Sequence, residues 1–197
     1  LWWFCLFYSI TFGGFVGLGT FLPTFLNVQY NMSAIDAGTL TALAAFAGST
    51  LRPLGGYLAD KFGGLRMLTF LFILIGILYG TTSLLLPPGP AIWIIVACVG
   101  CLGMGNGAIF QLVPQCFRKG LGVATGIIGA AGGLGGFFLP TLLGSIKQFT
   151  GSFASGLFLL ALIALAALVI LRLLMIFQEG WRLSWSLPVP GSQPTAS

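Results

Sequence analysis

Residues 48–56 read Gly-Ser-Thr-Leu-Arg-Pro-Leu-Gly-Gly and place one arginine, Arg52, inside an otherwise apolar stretch. Arg52 precedes Asp60 by eight residues, which corresponds to about 12 Å along a helix. Because the hydrocarbon layer of a bilayer is about 30 Å thick, this depth is near the midplane, where an arginine costs about 2.5–3.5 kcal/mol on insertion scales. Four small residues share its helix face, namely Gly48, Ser49, Gly55 and Gly56. The stretch therefore predicts a transmembrane helix with a buried cation and room for a small guest.

A guanidinium at this depth needs a partner, and two kinds are open. Arginine keeps its proton in proteins, so it must meet an anion, a carbonyl or water. Pro53 has no N–H to donate to the carbonyl of Ser49, so backbone carbonyls are available to brace Arg52. Ionisable residues inside a membrane are functional by default, and we therefore favour anion binding.

The composition identifies an integral membrane protein. Of the 197 residues, 57% are apolar and 6% are charged, and the mean hydropathy is +1.06, whereas soluble domains carry about 25% charged residues. The sequence opens directly into an apolar run without a basic segment or a cleavage site, which argues against a signal peptide. We expect a fragment or one half of a larger protein.

Composition also argues against an enzyme, a metal centre and a cofactor. The chain has no histidine and three acidic residues. Cys98 and Cys101 have metal-like spacing, but a second cysteine pair is absent. We therefore interpret the cysteines as small packing residues and expect neither catalysis nor a bound cofactor or metal.

Six apolar stretches follow one another along the chain. Each reaches the roughly 20 residues that a helix needs to cross a bilayer, at 2–26, 37–59, 65–86, 91–117, 121–146 and 153–177. The expected architecture is an all-α membrane protein, with a six-helix transmembrane bundle at residues 1–177. Residues 178–197 contain tryptophans, prolines and small polar residues, which predict an interfacial anchor and a disordered cytoplasmic tail.

Basic residues predict the orientation in the membrane. Six of them fall on one side of the predicted bundle: Lys61, Arg66, Arg118, Lys119, Arg172 and Arg182. Only Lys147 falls on the other side. The positive-inside rule makes the first side cytoplasmic, so we expect a multi-pass plasma-membrane protein with both ends of this chain in the cytoplasm. The asymmetry accounts for most of the net charge of +5, and nucleic acid is not an expected partner.

Glycines distinguish the fifth span from the others. Gly122 with Gly126, and Gly129 with Gly133, have small-xxx-small spacing. Such pairs allow helices to pack closely. They also suit a helix that slides or bends beside a substrate path, and both interpretations stay open.

The first and fourth spans resemble each other. Each carries a run of glycines followed by a proline, Pro23 in one and Pro114 in the other. Because the fourth span comes three spans after the first, the two have opposite directions, as in inverted transporter repeats. The fourth span also holds Asn106, for which we consider an interhelical hydrogen bond and contact with a substrate.

The loop after the second span points to a family. Residues 55–66 read Gly-Gly-Tyr-Leu-Ala-Asp-Lys-Phe-Gly-Gly-Leu-Arg. Asp60 falls at a helix end, two glycines make a turn, and Lys61 and Arg66 are placed at the inner surface. This stretch resembles the cytoplasmic loop motif of the major facilitator superfamily, which recurs after the second and after the eighth helix of its members.

Two further stretches resemble the nitrate/nitrite porter family of that superfamily. Residues 105–114 read Gly-Asn-Gly-Ala-Ile-Phe-Gln-Leu-Val-Pro, and residues 126–140 are similar to the glycine-rich nitrate signature of helix eleven. The resemblance covers roughly residues 2–175. It implies the C-terminal six-helix half of a porter, with an inverted repeat of three plus three helices.

The resemblance also implies a mechanism and site residues. Two six-helix halves would rock about a central site in which two arginines, one from each half, and an aromatic cage hold the anion. Arg52 matches the C-terminal arginine, Tyr8 the tyrosine donor and Phe12 the aromatic wall, although Tyr8 and Phe12 also suit a simple packing pair. Gly129 stands where some members have a serine. The partner arginine would belong to a missing N-terminal half.

Chemistry independently favours a small planar anion. Nitrate or nitrite suits a guanidinium fork, which donates two parallel hydrogen bonds. Proton coupling usually needs a carboxylate or histidine within the membrane, whereas Asp36, Asp60 and Glu179 lie at helix ends or in the tail. We therefore expect anion exchange or facilitated movement across the lipid bilayer.

Two alternatives of other classes remain. One is a six-span anion channel or a half-size transporter that assembles from two copies. The other is an inert fragment or assembly subunit that needs an N-terminal half.

Overall fold

The computed structural model describes residues 1–117 and 120–177. Six helices fill this part of the chain: α1 Trp2–Tyr30, α2 Ala34–Phe62, α3 Gly64–Ser83, α4 Pro88–Cys116, α5 Leu121–Thr150 and α6 Ala154–Phe177. All six are long and apolar enough to cross a membrane. The expected all-α membrane fold is confirmed, and helix ends differ from the predicted spans by at most four residues. The predicted tail, and Arg118 and Lys119, lie outside the described residues.

The largest boundary differences occur where polar residues continue a helix beyond its apolar part. Helix α1 runs on to Tyr30 and ends at Asn31, whose backbone is left-handed with φ of 54°. The Asn27 amide donates to the carbonyl of Met32 over 2.7 Å. Helix α2 then begins at once, because the hydroxyl of Ser33 accepts from the backbone N–H of Asp36 at 3.1 Å and caps its first turn.

The loop motif between α2 and α3 is a very tight turn. Gly63 has φ of +93°, a conformation that glycine adopts without steric cost. Gly64 already belongs to α3 and packs so closely on α4 that a Cβ there would lie 2.5 Å from the Leu112 side chain. The motif therefore sets both the turn and the approach of α3 to α4.

Helix α2 packs most extensively on α4, and glycines make this contact close. A Cβ at Gly103 would overlap the carbonyl oxygen of Gly48. Four residues further along both helices, a Cβ at Gly107 would overlap the carbonyl oxygen of Arg52. The arginine backbone therefore lies directly against α4.

The contact of α1 with α5 repeats this arrangement. A Cβ at Gly13 would lie 2.8 Å from the carbonyl carbon of Gly135, and one at Gly17 would lie 2.6 Å from Cβ of Leu139. The spacing of four residues recurs on both helices, so α1 corresponds to α4 and α2 to α5. Arg52 corresponds to Leu139, and each is followed by a proline. This is the inverted three-plus-three repeat that the glycine pattern predicts, with a cation at this position in only one of the two repeats.

Helices α2 and α5 have long faces that the described chain does not cover. Large apolar side chains remain exposed on them, including Phe46, Leu54, Tyr57, Val123, Leu134 and Phe137. By contrast, α3 and α6 pack on one another at the back of the bundle. The uncovered faces of α2 and α5 border the helices that carry the candidate site.

Candidate binding site

Arg52 lies in the middle of α2, half-buried, with its side chain directed at α1. Its Nη2 atom donates a hydrogen bond to the hydroxyl oxygen of Tyr8 over 3.0 Å. Tyr8 itself is 2% exposed, so this hydroxyl is held in the interior of the bundle. The contact joins the two residues that the sequence proposed as cation and donor.

Three aromatic rings lie beside the guanidinium and leave one side of it open. Its Cζ atom lies 5.7 Å from the ring centroid of Phe12 and 5.6 Å from that of Phe110. Tyr8 stacks on Phe12 with centroids 5.0 Å apart and an interplanar angle of 5°. It meets Phe110 edge-on, with centroids 4.9 Å apart at 89°. The rings thus form one wall beside the cation, with Tyr8 and Phe12 contributed by α1 and Phe110 by α4. We call Arg52 and these three rings the Arg52 cage, or the cage.

The neighbours of Arg52 leave its charge available. Asp60 accepts a hydrogen bond from the Gln111 amide at 2.8 Å, and Asp36 accepts one from the Ser33 hydroxyl at 2.7 Å. Within residues 1–117 and 120–177, no carboxylate pairs with the Arg52 guanidinium, and no backbone carbonyl accepts from it. Aromatic faces stabilise a cation without neutralising it. An anion placed on the open side of this guanidinium therefore meets an unpaired positive charge in a membrane interior.

The local structure explains how these side chains meet. Tyr8 and Phe12 are four residues apart on α1, so they project from the same helix face. The Thr11 side chain packs closely against Gly105. A Cβ atom at Gly105 would lie 2.8 Å from Thr11 Cγ2. This draws α4 toward α1 and brings Phe110 to the edge of Tyr8. The cage depends on glycine contacts of α4 with both α1 and α2.

Gly132 of helix α5 touches the cage. A Cβ at Gly132 would lie 2.5 Å from a Tyr8 ring carbon and 2.9 Å from a Phe12 ring carbon. Around Gly129, one turn earlier, there is no atom within 4 Å of such a Cβ. Gly129 therefore faces open space beside the site, and the structure does not bring it into contact with the Arg52 cage.

Gly132 and Gly129 should respond differently to replacement by alanine. We expect Gly132→Ala to displace the Tyr8 and Phe12 rings and to weaken anion binding, because overpacking of this kind costs about 1–3 kcal/mol. Gly129→Ala makes the same chemical change in open space and should leave the rings in place. Titration of each purified variant with nitrate, followed by intrinsic tyrosine and tryptophan fluorescence, measures the difference. Equal affinities for the two variants would contradict the assigned contact.

In the structure Phe110 is a further residue of the Arg52 site, and Asn106 lies in the interior of the helix bundle. Phe110 belongs to the residue 105–114 stretch, whose motif does not identify it as a site residue. The only signal for it is the spacing of four residues from Asn106, which places both on one side of α4. Asn106 is 1% exposed, and its Oδ1 atom has no hydrogen-bond partner in the described part of the chain. It lies in the packed interior one turn from the cage.

No cluster of metal ligands accompanies this site. Within the described residues, no group of three or more His, Cys, Asp or Glu side chains lies close enough to hold a metal ion. The groups that could contact a ligand at this site are one guanidinium, one phenol and two further aromatic rings.

The fold and site together define a class of protein. Six membrane-spanning helices in an inverted repeat, with a caged arginine at their centre, are a transporter-type bundle. The family model described as Major Facilitator Superfamily matches residues 1–140. Proteins of this superfamily are transporters, which agrees with the expectation that the chain is not an enzyme.

Similar proteins narrow the assignment. The nitrite extrusion protein of Bacillus subtilis is 42% identical over 172 residues, covering 86% of this chain and 43% of that protein. The probable nitrate transporter NarT of Staphylococcus epidermidis is 37% identical over 174 residues, covering 86% and 44%. The probable nitrate/nitrite antiporter NarK1 of Thermus thermophilus is 31% identical over 220 residues, covering 98% and 49%. The chain belongs to the nitrate/nitrite porter family of the Major Facilitator Superfamily, and it spans about half the length of these relatives.

Proposed function

We propose that the chain takes part in transmembrane transport of nitrate or nitrite by alternating access, with Arg52 as an anion ligand. The observation that carries this proposal is the unpaired Arg52 guanidinium, held by Tyr8, Phe12 and Phe110 within a membrane bundle. A trigonal anion with three oxygens suits the two parallel donors of a guanidinium. The names of the related proteins support the same substrate class.

We assign different roles to the site residues. Arg52 supplies charge and directional hydrogen bonds, and Tyr8 either orients Arg52 or donates its own hydroxyl to the anion. Phe12 and Phe110 exclude water, which strengthens the electrostatic attraction. Gly129 borders the space through which the anion passes, while Asn106 lies buried one turn from Phe110 with an unpartnered Oδ1 atom among the described residues.

The proposal includes a second six-helix half. One arginine in one half leaves the anion exposed on its other side, and a second cation from an N-terminal half would close the site. The uncovered apolar faces of α2 and α5 suit contact with such a half. Basic residues at the α2–α3 turn support a cytoplasmic location for this side, and we propose that both ends of the chain lie in the cytoplasm of a plasma-membrane protein.

We further propose exchange of anions rather than proton coupling within this chain. Asp36 and Asp60 both lie at helix ends, where they cap or bond neighbouring groups. Neither is placed in the membrane interior as a proton carrier would be. A carboxylate of the N-terminal half would act independently of these two.

Transport in proteoliposomes tests this function. With the complete transporter, we expect uptake of labelled nitrate to accelerate when the vesicles contain nitrite, and to be insensitive to an imposed pH gradient. Protein-free vesicles prepared in parallel provide the control. Gradient-driven uptake that disappears in the Asp36→Asn or Asp60→Asn variant would overturn exchange, and absence of anion movement would overturn the proposed function.

The same vesicles separate the alternatives. A channel would conduct anions at rates that do not saturate and do not depend on internal anion. An assembly-dependent fragment would show movement only when an N-terminal half is supplied. Saturable exchange by the complete protein is the outcome that favours a porter.

A further inference from the structure

A second cation lies far from Arg52, on the opposite side of the membrane from the α2–α3 turn. Lys147 stands in the last turn of α5, at the end of the bundle where α1 ends and α2 begins. Its Nζ atom lies 4.0 Å from the ring centroid of Phe153. No described carboxylate pairs with this ammonium group, and no described acceptor bonds it.

The aromatic ring beneath Lys147 is firmly held. Phe153 is 3% exposed and meets Phe21 and Phe25 edge-on, with ring centroids 5.3 Å away in both cases. A lysine over such a ring is attracted to it without losing its charge. The ammonium position is therefore set by a rigid part of the bundle rather than by a mobile surface.

Lys147 borders a cavity that is large enough for a hydrated small anion. The cavity has a volume of about 470 Å³ and lies between the outer parts of α1 and α5. Thr24, Lys147 and Gln148 contribute hydrogen-bond donors to it, Phe153 forms part of its wall, and no acidic side chain lines it. We call this cavity the Lys147 vestibule.

The vestibule is aligned with the Arg52 cage along the same two helices. Thr24 is twelve residues beyond Phe12 on α1, and Gly144 is twelve residues beyond Gly132 on α5, which corresponds to about 18 Å. Gly129 and Gly133 lie within about 60° of Lys147 around α5. A Cβ on either glycine, or on Gly144, would have no atom within 4 Å. Open space therefore lies at both ends of this face of α5, beside Gly129 and Gly133 near the cage and beside Gly144 at the vestibule, with Val16 packed against Gly136 between them.

We propose that Lys147, with Gln148 and Thr24, forms a second binding site for a small inorganic anion, at which substrate is collected before it reaches Arg52. The inference rests on the proposed anion transport and adds a peripheral site to it. A single cation at the mouth of a cleft raises the local anion concentration and the rate of association. The site would release its anion readily, because one solvated ammonium binds an anion weakly.

Transport kinetics measured separately from each side of the membrane test the Lys147 vestibule. In oriented vesicles at low ionic strength, Lys147→Gln should raise KM about tenfold for nitrate presented from the Lys147 side, the low end of what a charged cleft contributes. The maximal rate, and KM from the opposite side, should not change. Lys147→Arg keeps the charge and should behave like the unmodified protein. An equal KM for Lys147→Gln would overturn the proposal.

A structural role for Lys147 predicts a different result. The ammonium lies near the negative end of the α5 dipole, so a purely stabilising lysine would lower the thermal midpoint when replaced and would leave sided KM values alike. That pattern would also reject the vestibule as a binding site.

Chemical protection tests anion binding without transport. We expect nitrate to slow acetylation of Lys147 by an amine-reactive reagent, measured by mass spectrometry, both in the unmodified protein and in the Arg52→Lys variant. Lys61 is a matched control, because it also lies beside a phenylalanine, 5.5 Å from the Phe62 ring centroid, but on the other membrane side. If nitrate protects Lys147 from acetylation but the protein does not transport, only the proposed function is rejected. If Lys147 is acetylated equally with and without nitrate, the vestibule is rejected as a binding site.

Discussion

Arg52→Lys is expected to reduce nitrate uptake at low substrate concentration about 10- to 100-fold in the complete transporter. Lysine keeps the charge but has no planar fork, so it cannot donate two parallel hydrogen bonds to one anion. It would also lose the geometry that joins Arg52 to Tyr8 over 3.0 Å. A hydrogen bond to a charged group contributes about 1.5–3 kcal/mol, and each 1.4 kcal/mol is about tenfold in affinity. Initial uptake rates of labelled nitrate into proteoliposomes measure the effect.

The same substitution elsewhere provides the control. Arg172→Lys changes an arginine on α6, away from the cage, and should leave uptake close to that of the unmodified protein. Both variants must be present in the membrane in equal amounts, which quantitative immunoblotting checks. Near-normal uptake by Arg52→Lys would reject Arg52 as the anion ligand and favour a role in packing.

Gly107→Ala is expected to have a large effect on the fold. A Cβ at this position would overlap the carbonyl oxygen of Arg52 and lie 2.7 Å from the backbone nitrogen of Gly56. Because backbone atoms cannot yield as a flexible side chain can, α4 must move away from α2. Overpacking costs about 1–3 kcal/mol and occasionally more, so we expect a lower thermal midpoint and loss of transport. A fluorescence-detected melting curve in detergent, with uptake measured in parallel, tests both.

Gly80→Ala is the matched comparison within the same bundle. No atom lies within 4 Å of a Cβ at Gly80, which is also inside a helix. Alanine is favoured over glycine there by about 0.5–1 kcal/mol, and the melting midpoint should stay the same or rise. If Gly107→Ala melts and transports like Gly80→Ala, the close approach of α2 to α4 is not required.

Much of the architecture follows from local properties of the sequence. Six apolar runs of sufficient length predict six spans, because a helix satisfies its own backbone hydrogen bonds within lipid. Helix ends were less predictable, since capping by Ser33 and the left-handed Asn31 depend on side-chain geometry rather than hydropathy. The proposed role of Arg52 rests on its predicted depth and on the family resemblance together.

The details of the site depended on how the helices are rotated. Phe110 joins the cage because α4 approaches α1 and α2 through glycines, and hydropathy does not reveal this rotation. The fifth span contains seven glycines between residues 122 and 136, and their spacing alone does not tell which one meets the rings. Gly132 contacts Tyr8 and Phe12, whereas Gly129 faces open space.

The sequence by itself determined the class of protein, the six spans and the family, because these follow from hydropathy and short motifs along the chain. Tertiary structure alone decided which side chains meet Arg52 and which glycine borders the cage. It also placed Lys147 over Phe153 beside an open cavity. The physical reason is that these relations join residues on different helices, and they arise only when small residues let backbones pack within van der Waals distance.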